Sequence, residues 1–267
     1  MEFSNIKIVY TSFTGTTEKV VNALCDGSNA KIDHYPLIDK SIAVDEDVIF
    51  DENDIVIFGV PVFAGRVPSI CVDRLKKFKG NKTLAIAVVV YGNRDYEDAL
   101  LELQNILIEN NFVVICAGAF IGQHSIFPKI ASNRPDDRDI ENIHEFGNKA
   151  YDMIKNFNIE SLQNIRIKVK GEYPYKKIEN KPMPIKISTD KKCNVCGKCA
   201  SVCPVNAISV SDHVMTDNHI CIHCGACIAV CPMQARKYSG ILYFLASKKF
   251  GKMCATRKEN EWFFEKN

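Results

Sequence analysis

The sequence predicts an α/β chain in which a doubly wound parallel sheet is followed by a small α+β domain. Three observations carry this expectation. Apolar, β-branched runs at 5–10, 54–60, 82–90 and 112–121 alternate with helix-like stretches, the pattern of a parallel sheet covered on both faces. A twelve-residue cysteine motif beginning at Cys193 returns 28 residues later at Cys221, so the last third is built differently. With 267 residues, 46% hydrophobic and 25% charged, the chain has an ordinary globular composition and length for about two domains.

The first apolar run ends in a hydroxyl-rich loop, Ser12-Phe13-Thr14-Gly15-Thr16-Thr17, before a helix expected over 18–26. Hydroxyls, backbone amides and the helix dipole converge there, and Gly15 permits close backbone approach, so the loop suits an anion. It lacks the Walker lysine and the GxGxxG of dinucleotide folds. A plain helix N-cap made of threonines is the competing reading. The second run, 54–60, leads into a loop containing Pro61, Phe63, Ala64 and Gly65. The third, 82–90, leads into Tyr91, Gly92, Asn93 and Tyr96 and then a helix over 97–109. Ligands of open α/β sheets bind at the carboxyl ends of the strands, where these three loops lie. A last cover helix is expected over 136–157, with Ile140, Ile143, Phe146, Ala150, Met153 and Ile154 on its apolar face.

With its S-x-T-G-x-T loop, this part of the chain, 1–157, resembles the flavodoxin family. The resemblance implies FMN as cofactor, its phosphate held by Ser12, Thr14, Gly15, Thr16 and Thr17 and its ring contacted from Phe13, from Pro61, Phe63, Ala64 and Gly65, and from Tyr91, Gly92, Asn93 and Tyr96. An aromatic on the ring face would disfavour the dianionic hydroquinone. The usual first-loop Trp is missing, since the single Trp is Trp262.

The segment 158–184 is expected to be a basic, proline-containing connection. The net charge of +2 hides an asymmetry: residues 1–163 carry 16 Lys and Arg against 24 Asp and Glu, and residues 164–267 carry 18 against 8. The connection is either a solvated linker or a surface that docks on the acidic N-terminal lobe or an acidic partner. No basic helix or aromatic-studded basic sheet accompanies it, which argues against nucleic acid.

Both cysteine motifs, Cys193 to Pro204 and Cys221 to Pro232, read C-x2-C-x2-C-x3-C-P. This is the run of bacterial-type ferredoxins with two [4Fe–4S] clusters, in which the fourth Cys ligates the other cluster. The expected ligand sets are therefore Cys193, Cys196, Cys199 and Cys231 for one cluster, and Cys221, Cys224, Cys227 and Cys203 for the other. Structural zinc is the alternative, but it has no use for a third and fourth Cys at these spacings. The domain is expected over 185–238, with a small hairpin from 207–210 and 214–216. His223 has no ligand position left to fill.

The tail, 239–267, contains apolar Ile241 to Leu245 and the run Trp262-Phe263-Phe264. It is too short to span a bilayer and is expected to be a packed helix, with a partner or membrane-surface contact as the alternative. No other stretch approaches the length of a membrane span. Of twelve cysteines, eight have cluster spacing, and Cys25, Cys71, Cys116 and Cys254 are scattered singly, as reduced cytoplasmic thiols are.

As a whole, the sequence resembles the flavodoxin–ferredoxin fusion proteins of anaerobes. That resemblance implies an electron-transfer protein relaying between FMN, two low-potential clusters and a redox partner such as a ferredoxin-reducing or ferredoxin-dependent oxidoreductase. No residue is asked to be a nucleophile or general base. The alternative is an FMN-dependent reductase acting on a small molecule or NAD(P)H, with the clusters as relay, and a redox sensor is a third reading.

Overall fold

The computed structural model describes residues 5–28, 30–38, 46–155, 167–178 and 185–265. In chain order its elements are β1 (Asn5–Tyr10), α1 (Thr16–Ala23), β2 (Lys31–Pro36), β3 (Val48–Phe50), β4 (Ile55–Pro61), α2 (Ser69–Leu75), β5 (Phe78–Gly80), β6 (Thr83–Tyr91), α3 (Ala99–Glu109), β7 (Phe112–Ile121) and α4 (Asp137–Lys155). There follow β8 (Lys186–Thr189), α5 (Lys198–Ser201), β9 (Ile208–Val210), β10 (Val214–Thr216), α6 (Ala226–Ala229), β11 (Arg236–Ser239), α7 (Ile241–Met253) and β12 (Glu261–Phe264).

The main sheet runs β12-β7-β6-β4-β1-β2, with every pair parallel except β12 on β7. Counting only the parallel strands, the order is 2-1-3-4-5, the flavodoxin-like doubly wound order. All nine residues of β6 are buried, as is β4 up to Val60, because helices cover both faces of the middle strands. The edge strand β2 (KIDHYP) is half-exposed and was not expected as a strand. Ile32 and Tyr35 pack against the core, and Lys7 bonds Asp33 at 2.8 Å across the β1–β2 pair.

The first half of the tail is a helix whose Tyr243, Ala246 and Phe250 pack on the second lobe, and the second half departs from the expected helix. The tail thus forms α7 and then the strand β12, which pairs antiparallel with the far edge of β7. Trp262 and Phe264 lie against Phe146 of α4, with ring centroids 5.7 and 5.3 Å away. A run of three aromatics favours an extended chain beside an open sheet edge, and covering that edge removes unpaired backbone groups.

The described part of the basic connection lies on the acidic lobe. Lys170 pairs with Asp95 and Lys176 with Glu97, and Asp98 accepts hydrogen bonds from the backbone amides of Glu172 and Lys176. Residues 156–166, Pro182 and Pro184 lie outside the described residues.

The last third folds as a duplicate. Left-handed backbone recurs at equivalent places 28 residues apart: Val195 and His223, Gly197 and Gly225, Asn206 and Gln234. Gly197 and Gly225, with φ of 76° and 83°, cap the short helices α5 and α6. Left-handed residues among helical ones turn successive amides toward one point, which suits a bound anionic cluster and favours glycine there. β9 and β10 form the expected hairpin, and β8 pairs with β11.

Candidate functional site

The loops after β1, β4 and β6 meet at one end of the sheet. They bring Phe13, Thr14, Thr16, Thr17, Pro61, Phe63, Tyr91 and Gly92 to one cavity of about 70 Å³. At its helix end, Ser12 Oγ accepts the Glu18 amide at 3.1 Å, so Ser12 caps α1 and is not itself among the lining residues. Thr14 and Thr16 hydroxyls lie 3.4 Å apart, Thr17 is buried, and Gly15 takes a left-handed φ of 86°. Thr14, Thr16 and Thr17 thus bring three hydroxyls to the start of an eight-residue helix, where the first backbone N–H groups lack intrahelical partners. The rings of Phe13 and Phe63 close the cavity, their centroids 5.6 Å apart at 42°.

Other residues expected at the ring do not reach this cavity. Tyr96 is turned inward: 1% exposed, it packs edge-on against Tyr91 and donates its hydroxyl to Glu261 at 2.7 Å, so it fastens β12. Asn93 also serves the tail, donating to the carbonyls of Cys254 and Thr256 and accepting the Lys258 amide. Ala64 lines a separate groove beside Phe63, and Gly65, with φ 85°, packs against Glu97.

A fourth loop completes the cavity with Gly122, Gln123, His124 and Ser125. It follows β7 at the same sheet end, so the rule that pointed to the other three loops was sufficient to include it. The Nδ1 atom of His124 accepts the amides of Ile126 and Phe127 at 3.2 and 3.4 Å, which leaves the proton on Nε2. Burial, helped by the charge of Arg94, pushes the His124 pKa down to about 4. A neutral folded-state His that protonates near pH 6.5 when unfolded gives stability that is complete above pH 6.5 and lost as pH falls toward 4. This loss amounts to about 3 kcal/mol. Thermal unfolding at pH 7 and pH 5 should show a smaller acid loss in His124→Gln than in the native chain, and equal losses would refute the assignment.

The remaining wall of the cavity is Cys224, which comes from the second cysteine motif. A Cβ added at Gly225 would stand 3.3 Å from Thr14 Cγ2 and 3.6 Å from the Ser125 carbonyl, so the two lobes are in contact here. Phe127 and Ile130 join the core of the second lobe, and Phe127 stacks on Tyr243 of α7 at 5.6 Å.

The cysteines fall into two groups that cross between the motifs. Cys193, Cys196, Cys199 and Cys231 line one cavity together. Cys203, Cys221 and Cys227 all lie within electrostatic reach of Cys224; burial, with a smaller contribution from these neighbours, pushes the Cys224 thiol up to about 12. The amide-to-sulfur contacts are duplicated as well: Ala207 N to Cys203 Sγ at 3.2 Å and Ala235 N to Cys231 Sγ at 3.3 Å. No cysteine is in a disulfide. Among the described residues, no three Cys, His, Asp or Glu converge on a point suited to a single metal ion. His223 is buried and its Nε2 lies 2.7 Å from the Ile185 carbonyl, a structural contact.

Residues 192–235 match the family model of the 4Fe-4S dicluster domain. No curated protein matches the chain in a sequence comparison. Among solved structures, the chain is similar to a flavodoxin of Streptococcus pneumoniae TIGR4, 16% identical, over 55% of this chain and 98% of that one with a TM-score of 0.39. It is similar to Flavodoxin 1 of Bacillus cereus, 16% identical, over 58% and 100% with a TM-score of 0.40. It is also similar to the rubredoxin oxygen:oxidoreductase of Desulfovibrio gigas, 15% identical, over 57% of this chain and 36% of that one with a TM-score of 0.42. The strand order and the dicluster match together define a flavodoxin-like α/β domain joined to a two-[4Fe–4S] ferredoxin domain. Clusters of this kind carry single electrons, so the chain is an electron-transfer protein. Among the described residues no helix is long and apolar enough to cross a membrane.

Proposed function

We propose that the chain is a cytoplasmic electron relay between FMN, held at the loop cavity, and a redox protein that docks beside the Cys193 cluster. The observation that carries this reading is Cys224, a buried cysteine of the second motif that forms part of the same cavity wall as Thr14, Phe63 and Tyr91. Bound FMN would supply two-electron chemistry in one-electron steps, joining two-electron and one-electron partners. The hydroxyls of Thr14, Thr16 and Thr17 would take its phosphate. Ligand pockets usually run to about 300–1,000 Å³, so Phe13 and Phe63 must part for the ring to enter. At the other end of the relay, Cys196 is exposed and flanked by exposed Lys191, Lys192 and Lys198, which suits a partner with an acidic rim.

The phosphate site predicts that Thr17→Val weakens FMN more than riboflavin, because only FMN brings a dianion to that hydroxyl. One lost charge-assisted hydrogen bond should cost about 1.5–3 kcal/mol, measured by flavin fluorescence titration. Equal weakening of both ligands would move the phosphate elsewhere.

The relay itself is tested by photoreducing FMN bound to the cluster-loaded protein and following cluster bleaching at 0.1 M and 1 M salt. Salt shortens the screening length from about 10 Å to about 3 Å over that range. Because Gly225 and Thr14 are in contact, the transfer rate should change little. Absence of transfer at both salts would sink the relay. A second reading, an FMN-dependent reductase, is favoured by the groove of about 660 Å³ between Ala64, Arg66 and Asp73 on one side and His219, Cys221 and Ile222 on the other. Turnover with NAD(P)H alone would support it.

A further inference from the structure

The duplication of the cysteine domain is broken at one place of electrical consequence. Arg236 opens β11, and the residue 28 positions earlier, opening β9, is Ile208. The guanidinium is buried, with Arg236 3% exposed. Its Nη1 donates to Thr189 Oγ1 at 2.7 Å and its Nη2 to Thr216 Oγ1 at 2.6 Å, both neutral hydroxyls. Nη2 also stands 3.7 Å from Cys227 Sγ, in one cysteine group. The same side chain lines the cavity of the other group, formed by Cys193, Cys196, Cys199 and Cys231. Its Nε is buried and has no hydrogen-bond partner among the described residues. No ion pair to a carboxylate is found for Arg236 among them either.

A buried cation without a counter-charge is strongly unfavourable, and one left with an unsatisfied N–H more so. The described residues supply no carboxylate there, but they supply eight cysteines. A [4Fe–4S] core with four thiolates carries about two negative charges when oxidised and about three when reduced. Two such clusters repel each other, and each reduction increases the repulsion. A guanidinium between them is attracted to both in every redox state and most strongly when both are reduced. Its planar fork lets two nitrogens anchor on Thr189 and Thr216 while Nε–H stays free for a cluster-side acceptor.

We propose that Arg236 is the shared cation of the two cluster sites, a positioning residue whose single buried charge holds both clusters at higher reduction potentials than the same cysteines alone would give. The inference rests on the dicluster match and is independent of the flavin reading.

The test compares Arg236→Lys, Arg236→Gln and Arg236→Met in the full chain after anaerobic cluster loading. Iron and sulfide content are measured first, and then the midpoint potentials of both clusters by redox titration followed with EPR. The expected result is an order set by charge: Lys stays near native, while Gln and Met shift both clusters to more negative potentials, the larger shift falling on the Cys227 cluster. If Gln and Met fail to retain both clusters and Lys retains them, the charge is needed to hold the clusters and the proposal stands. It is overturned if Gln and Met leave both potentials unchanged, if only one cluster moves, or if Lys behaves like Gln and Met in potential or in cluster content.

Discussion

Cys203→Ala is expected to remove the cluster built on Cys221, Cys224 and Cys227 and to leave the other in place, although Cys203 belongs in sequence to the first motif. The mutated thiol is buried, accepts the Ala207 amide at 3.2 Å, and is an electrostatic neighbour of Cys221 and Cys224. The first motif's own cavity takes its fourth cysteine, Cys231, from the second motif. A [4Fe–4S] centre with only three thiolates is open to solvent and to stepwise loss of iron, and its complete loss takes about half of the iron. Iron and sulfide counts with low-temperature EPR of the reduced variant read this directly. Loss of the Cys193 cluster with survival of the other would overturn the crossed assignment. The relay predicts a second consequence: with the cavity-side cluster gone, bleaching of the Cys193 cluster after flavin reduction should fall even though that cluster is intact.

What could be read in the sequence was whatever depends on short spacing. The repeat at Cys193 and Cys221 fixes its own geometry within twelve residues, and the near-continuous apolar runs of β4, β6 and β7 announce strands buried on both faces. The Thr14 to Thr17 loop was legible because a strand, a hydroxyl cluster and a helix follow one another directly. Three things were not legible, each for a physical reason. β2 is an edge strand whose core contacts come from Ile32 and Tyr35, three residues apart with Asp33 and His34 between them, so it shows no alternating apolar period. The tail strand depends on pairing Glu261–Phe264 with Cys116–Ala119, partners more than 140 residues apart along the chain. The direction of an aromatic cannot be read from its place in a loop: Tyr96 lies in the expected loop but turns to Glu261.

Arg134→Ala should be the most damaging single change to the fold away from the cysteines. Arg134 and Asp139 are both nearly excluded from water, with side chains 5% and 2% exposed, and they form a bidentate pair, Nε to Oδ2 at 2.7 Å and Nη2 to Oδ1. Removing one partner of a buried pair strands the other charge, at a cost of about 3–5 kcal/mol. Arg257 is too exposed to replace it fully, though it reaches Asp139 at 3.1 Å. The loss would spread in two directions. Arg134 Nη1 also donates to the Lys258 carbonyl at 2.9 Å, so the tail that carries β12 loses an anchor. The Arg134 carbonyl accepts the Gln123 amide at 2.9 Å, which ties the pair to the loop that brings His124 to the cavity. Urea unfolding should therefore show a lower midpoint, and limited proteolysis should cut between α7 and β12 before the rest of the chain opens. Arg134→Met combined with Asp139→Leu should recover most of the stability, because no unpaired charge remains buried. It should not restore the protease resistance of the tail, because Met gives Lys258 no donor. If the double variant were as unstable as Arg134→Ala, the cost would lie in packing at this corner and not in the stranded carboxylate.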